Sequence, residues 1–375
     1  MTERGPHDST YGTNVRTNKS QQWATRRILQ LLWGGAPRLA ERLVEKAFFS
    51  PRSSPLSAEE RRWLDRGEPF HLRVHDKRIR GWRWGTGPGV LLVHGWNGRG
   101  IQFHRFIAPL IDAGYAAIAF DGPAHGASEG RSTSYFEFTD AVRTLIEPSR
   151  GLNIRGIIAH SFGAAAVVNG LAHQEPALKS VLIAPALRLK DLLTDAFDRH
   201  GIPPVIYERL INAYEMRFGY SLRHDDPHLH LGDLRSPVLV IHDHDDPIIA
   251  HRDSRTATHG FGHVTLHTTY GLGHKRILAD PAVVKAAMAH FPAPVEPAES
   301  ILEEYRAADA VRRLDLFLAH RDLRNGFTSI EAGEEAGRAA PAPSLHPRSS
   351  GASAGSPRCP RAPSPSPGTG SGRCR

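Results

Sequence analysis

Ala159-His160-Ser161-Phe162-Gly163 sets a serine between a run of apolar residues and a run of small ones, Ala164 to Ala166. A strand that turns at once into a helix needs small residues two before and two after the turn. A serine at its tip is then exposed as a nucleophile. Taken alone, the pentapeptide also fits a serine that merely caps a helix. What favours chemistry is the rest of the chain, which supplies a carboxylate and then a histidine in order. Val238 to His242 is an apolar run followed by Asp243-His244-Asp245-Asp246-Pro247, and Gly271-Leu272-Gly273-His274 follows. A histidine can take the serine proton if a carboxylate holds its ring in the right tautomer and stabilises the imidazolium. Asp243, Asp245 and Asp246 compete for that role. With 22 histidines in the chain, it is position that selects His274, after the acids and just before an expected helix. His94-Gly95-Trp96-Asn97-Gly98 adds a fourth element. A tetrahedral oxyanion needs two converging backbone N–H groups, one from the residue after the nucleophile and one from such a loop. That assigns Phe162 and Trp96.

These residues need strands that end where they begin. Short apolar runs at Val90 to Val93, Ala116 to Phe120, Ile154 to Ala159, Ser180 to Ala184 and Val238 to His242 read as strands buried on both faces. Helical stretches at Ile101 to Ala113 and Tyr135 to Glu147, one after Ser161 to Ala172, and another at Pro281 to Phe291 alternate with them. Alternation of this kind predicts a mainly parallel, doubly wound α/β sheet, whose ligands sit at the carboxyl ends of the strands. Phe70 to Val74 and Arg78 to Trp84 add a hairpin ahead of it. Between Ala184 and Val238 about fifty mostly helical residues exceed an ordinary connection of ~2 to 6 residues, and a helical cap over the site is expected there. Arg188, Lys190, Arg199 and Arg209 within it read as solvent-facing charges.

The expected organisation is a disordered lead over residues 1–20 and a helical extension over 21–69. An α/β domain follows over 70–295, with its cap at about 185–235. Then come a helical extension over 296–337, with one helix at Glu303 to His320, and a disordered basic tail over 338–375. In the first extension, apolar residues recur at helical spacing on either side of Gly34, Gly35 and Pro37, which predicts two amphipathic helices packed on the main domain.

At this point the chain resembles the α/β-hydrolase superfamily, close to its serine aminopeptidase-like and esterase-like branch. The residues that carry the likeness are His94-Gly95-Trp96, Asp121 to Ser128 (Asp-Gly-Pro-Ala-His-Gly-Ala-Ser), His160-Ser161-Phe162-Gly163, Asp246-Pro247 and Gly273-His274. They span somewhat over half of the chain. The resemblance implies Asp246, directly before Pro-Ile-Ile, as the acid, with Asp245 the alternative. It also implies cleavage of a small-molecule ester, thioester or amide through an acyl-enzyme, with no cofactor and no metal. A serine rather than an aspartate at the elbow separates it from haloalkane dehalogenases.

Two rival readings remain. His242-Asp243-His244-Asp245-Asp246 has the His-x-His-x-Asp spacing of metallo-β-lactamase-like hydrolases, but Pro247 stands where they carry a ligand. A member that keeps the pocket and only binds is the other, and the intact Ser, Asp and His set argues against it.

Composition bounds the remaining classes. The chain holds 47 basic and 39 acidic residues, yet Arg338, Arg348, Arg358, Arg361, Arg373 and Arg375 fall in a terminal stretch without acids. The excess charge is therefore a property of the tail, and no nucleic-acid partner is expected. Both cysteines, Cys359 and Cys374, lie there too, which leaves the α/β domain without disulfides or a Cys-based zinc site and points to the cytoplasm. No stretch reaches the ~20 apolar residues of a membrane span.

Overall fold

The computed structural model describes residues 19–52, 54–172, 178–291 and 305–319. The expected disordered lead, apart from residues 19 and 20, and the expected basic tail lie outside these. The chain divides into two compact units, Met1–Val295 and Glu296–Arg375. In the second, helix Ala310–Ala319 falls within the helix expected at Glu303 to His320.

In the first unit, strands β1 (Glu68–Val74), β2 (Lys77–Trp84), β3 (Gly89–Val93), β4 (Ala116–Phe120), β5 (Ile154–His160), β6 (Lys179–Ile183), β7 (Val238–Asp243) and β8 (Val264–Thr269) form one sheet. Their order is β1-β2-β4-β3-β5-β6-β7-β8. β1 pairs antiparallel with β2, and β2 with β4; β4, β3 and β5 to β8 are parallel. The expected doubly wound sheet is therefore present. Its alternating side chains feed two cores. Leu91, Val93, Ile118, Phe120, Ile157, Ala159 and Leu182 face one, whereas Val90, Leu92, Ala117, Ala119, Ile158, Val181 and Ile183 face the other. Each fully buried Leu, Ile, Val or Phe contributes ~1.5–3 kcal/mol relative to exposure, which is why these strands read as unbroken apolar runs.

Helices α1 (Lys19–Gly35) and α2 (Pro37–Phe48) break at Ala36 as the Gly and Pro pattern predicts. Their Leu29, Ala40 and Val44 enter the first core. α3 (Ala58–Arg66) carries a capping box, Ser57 with Glu60, a signal the periodicity reading passed over. α4 (His104–Asp112), α5 (Tyr135–Ile146) and α6 (Ser161–Leu171) then alternate with the strands. α7 (Leu189–Arg199), α8 (Pro204–Phe218) and α9 (Pro227–His230) fill the long connection between β6 and β7. Arg188 pairs with Asp191 and Arg209 with Glu41. α10 (His251–Thr258) and β8 were not expected from sequence; α11 (Gly273–Arg276) and α12 (Pro281–Ala289) complete the unit. Among the described residues no helix is long and apolar enough to cross a membrane.

The chain leaves β3 for β4 on one side and later returns to place β5 on the other. That reversal opens a crevice at the carboxyl ends of β3 and β5, where His94 and Ser161 stand.

Candidate active site

β5 ends at His160, α6 begins at Ser161, and Ser161 has φ +55°. A non-glycine residue in the left-handed region costs ~1–2 kcal/mol, and it holds only where packing over-determines it. The packing is visible at two glycines. A Cβ on Gly163 would lie 2.2 Å from the His94 carbonyl oxygen, and one on Gly95 would lie 2.9 Å from the Ser161 Cβ. The loop after β3 is thus pressed against the elbow. The Ser161 carbonyl accepts the Ala186 N–H at 3.2 Å, which ties the elbow to the loop after β6.

His274 comes to the serine from α11. Its Nε2 is 2.9 Å from Ser161 Oγ and its Nδ1 2.7 Å from Asp246 Oδ2. All three side chains are buried. A carboxylate against Nδ1 requires that nitrogen to carry the proton, leaving Nε2 free to accept one from serine. Asp246 Oδ1 accepts the Ile248 and Ile249 N–H groups at 2.8 and 3.0 Å. Burial pushes the Asp246 carboxyl upward, but hydrogen bonds from His242 and His274 outweigh it and hold it well below the usual carboxylate range. Asp245 faces away: its exposed carboxylate meets His244 Nδ1 at 3.1 Å and the Gly271 N–H at 3.0 Å.

Two residues of the His-x-His-x-Asp stretch have roles that the sequence did not disclose. Asp243 accepts the Gly273, Asp245 and Leu272 N–H groups at 2.9, 3.1 and 3.0 Å and the Thr269 hydroxyl at 2.8 Å. It thereby fixes the loop that carries His274. His242 is fully buried; its Nε2 is 3.1 Å from the Ile249 carbonyl and 3.3 Å from Asp246 Oδ2. A carbonyl only accepts, so Nε2 carries the proton, and Nδ1 accepts the Ser254 hydroxyl at 2.7 Å. His244, in the turn after β7, is exposed. Among the described residues no group of three His, Cys, Asp or Glu side chains is arranged to hold a metal.

The other loops are braced by neutral histidines. His94 Nε2 accepts the Gly122 N–H at 2.8 Å, and His125 Nε2 accepts the Asn97 N–H at 3.3 Å. His160 Nε2 donates to the His274 carbonyl at 2.9 Å. Burial lowers all three, with His125 at about 4 and His160 at about 3. Asp121 accepts the Gly100 and Ala127 N–H groups at 2.9 and 2.8 Å, and Asn97 Oδ1 accepts the Arg52 N–H at 2.7 Å. Trp96 and Phe162, the expected oxyanion pair, lie side by side with ring centroids 5.2 Å apart.

Trp96 lines two cavities. One, of about 320 Å³, is the more polar and contains Ser161, His160 and His274; the other, of about 130 Å³, is apolar and is walled by Phe49, Tyr135, Phe136, Phe162 and Phe197.

A non-heme chloroperoxidase, CPO-A1, of Kitasatospora aureofaciens is 27% identical over 133 residues, which is 35% of this chain and 48% of that protein. The chain therefore spans about half the length of the curated relative it matches. Among solved structures, an esterase from Pyrococcus furiosus is 18% identical, with 64% of this chain and 96% of that one aligned at a TM-score of 0.49. Est1E from Butyrivibrio proteoclasticus, with ferulic acid bound, is 16% identical over 59% and 98% at 0.48. A thioesterase domain from the curacin biosynthetic pathway is 17% identical over 60% and 99% at 0.45. The sequence profile of the Alpha/beta hydrolase family matches residues 90–287, more than half of the chain and the whole span from β3 into α12, and the chain belongs to that family.

Proposed function

We propose that this α/β-hydrolase cleaves a carboxylic ester, thioester or amide of a small molecule through an acyl-enzyme on Ser161. The observation that carries the reading is the continuous line of hydrogen bonds from Ser161 Oγ through His274 to Asp246. In the first step Ser161 Oγ bonds to the substrate carbonyl carbon while its proton passes to His274 Nε2. As the bond to the leaving group breaks, that proton goes to the leaving oxygen, sulfur or nitrogen. Water, deprotonated by the same histidine, then splits the acyl-serine ester and restores the hydroxyl. The oxyanion formed in each half would be met by the Trp96 and Phe162 N–H groups, the second at the N-terminal end of α6.

The segment from α7 to α9 serves as the cap in this reading, and the unit with α1 and α2 as its outer wall. Both cysteines lie beyond residue 358, which supports a cytoplasmic setting. The reading is tested by rapid mixing with 4-nitrophenyl acetate. A burst of nitrophenol equal to the enzyme concentration, absent in Ser161→Ala, is expected. A well-folded protein that gives no burst and no turnover with any ester or thioester would instead be a binding protein.

A further inference from the structure

The two cavities lined by Trp96 differ in chemistry, and the direction of the reaction assigns each to one half of the substrate. The leaving group must receive its proton from His274, so it lies on the His274 side. That side is the more polar cavity, which contains His160, His274 and Lys275 along with Ser161. The acyl group points the other way, past the oxyanion pair, and Trp96 and Phe162 both line the apolar cavity, whereas His274 does not.

The contents of each cavity then specify the chemistry. The apolar one measures about 130 Å³, and a cavity of ~150 Å³ lined by apolar side chains holds one benzene ring. A group of that size fits; a long fatty chain does not. In the polar cavity the charged residues are Glu60, Arg99, Arg105 and Lys275. Glu60 accepts the Ser57 N–H at 2.7 Å, and Arg105 pairs with Glu59 at 3.1 Å. Arg99, which lines the cavity, gives Nη2 to the Ser54 carbonyl at 2.8 Å. Asp121 feels the Arg99 charge only at longer range, its own oxygens taken by Gly100 and Ala127. Among the described residues no carboxylate lies within ion-pair distance of Arg99 or Lys275, and only Glu60 stands against these two cations, so the cavity carries net positive charge beside the nucleophile. A planar guanidinium without an ion-pair partner suits an oxyanion.

Resting on the serine-hydrolase reading, we infer that the substrate is an ester joining a compact apolar acyl group, about one ring or six carbons in size, to a leaving group that carries an anion. Ser161 Oγ takes the acyl group, and the leaving alcohol departs with the proton from His274, its anion held by Arg99.

The test uses 4-nitrophenyl acetate, hexanoate and decanoate, together with hexanoate esters of phenol, 4-hydroxybenzoate and hydroquinone monophosphate. We expect kcat/KM to rise at least tenfold from acetate to hexanoate and to fall again at decanoate. Leu193→Trp, which fills the apolar cavity, should lower the hexanoate-to-acetate ratio, and Phe197→Ala, which widens it, should move the optimum toward decanoate. At least one anionic ester should exceed phenyl hexanoate tenfold, with the better of the two naming carboxylate or phosphate, and Arg99→Gln should erase that preference. A flat acyl series, a decanoate optimum in the wild type, or equal rates on neutral and anionic leaving groups overturns the inference. If a small fluorophosphonate labels Ser161 in that case, the hydrolase reading stands and only the substrate class falls. If it does not label and no ester is cleaved, both fall.

Discussion

Ser161 and His274 are held in place by different physics. Around Ser161 the constraint is steric: a left-handed backbone at φ +55°, with Gly163 and Gly95 so close to their neighbours that a methyl group on either would collide. Around His274 and Asp246 the constraint is a mesh of hydrogen bonds in which Asp243 accepts from the loop carrying His274, His242 donates toward Asp246 and Ser254 donates to His242. Steric placement needs small residues at fixed offsets, and hydrogen-bonded placement needs polar side chains whose partners are distant in sequence. The first kind tolerates no added atom, while the second is sensitive to loss of a donor.

The largest expected effect lies where the two regions meet. Replacing Ser161 or His274 by Ala should lower turnover ~10⁶-fold, and replacing Asp246 by Asn ~10⁴-fold through the wrong tautomer, with circular dichroism unchanged. Asp245→Asn should leave kcat within a few-fold; if it is the more damaging aspartate, the acid assignment fails.

Acid should separate the regions next. The elbow side rests on His94, His125 and His160, whose folded pKa values lie below the ordinary 6.5. From about pH 6.5 down to about 4 the unfolded chain therefore binds more protons than the folded one, and stability falls with pH across that window. Asp246 and Asp243 are depressed carboxylates, so their contribution persists until the pH drops below the ordinary carboxylate range of about 4. Urea midpoints at pH 7, 5.5 and 4.5 should decline steadily, and His160→Gln should flatten the decline. A midpoint independent of pH down to 4.5 would contradict the neutral-histidine account.

Smaller effects sharpen each side separately. His242→Leu removes a donor to the Asp246 carboxylate, worth ~1.5–3 kcal/mol for a charged acceptor, or roughly 10- to 100-fold in kcat with little change in KM. Gln keeps a donor at similar reach and should recover most of the rate; equal loss in both variants would make His242 a packing residue only. Gly163→Ala should cost ~1–3 kcal/mol by overpacking against the His94 carbonyl, read as a lower melting temperature, and should shift Ser161.

The same division decides what the sequence revealed. The buried central strands were legible because apolar runs have one reading once turns bound them; Ala116–Phe120 fell at its expected limits. β8 was not, because it is an edge strand whose Thr265 and His267 are polar and whose burial is partial. α10 escaped because it is short and polar, and α3 because its capping box precedes a charged segment. At the site, Ser161, His274 and Asp246 stood out through small neighbours, order and a following proline. His242 stood instead in a metal-like spacing and Asp243 among the competing acids, since spacing along a strand cannot show that one turns into the core and the other toward the backbone of a loop about thirty residues away.

The central claim is that His274 and Asp246 make Ser161 a nucleophile. Its most direct test is to treat the folded protein with a fluorophosphonate probe and locate the adduct by peptide mass spectrometry, with Ser161→Ala alongside. One adduct per chain on Ser161, absent in the variant and lost on prior denaturation, is the expected result. An unlabelled native protein, or an adduct on another residue that persists in Ser161→Ala, would contradict it.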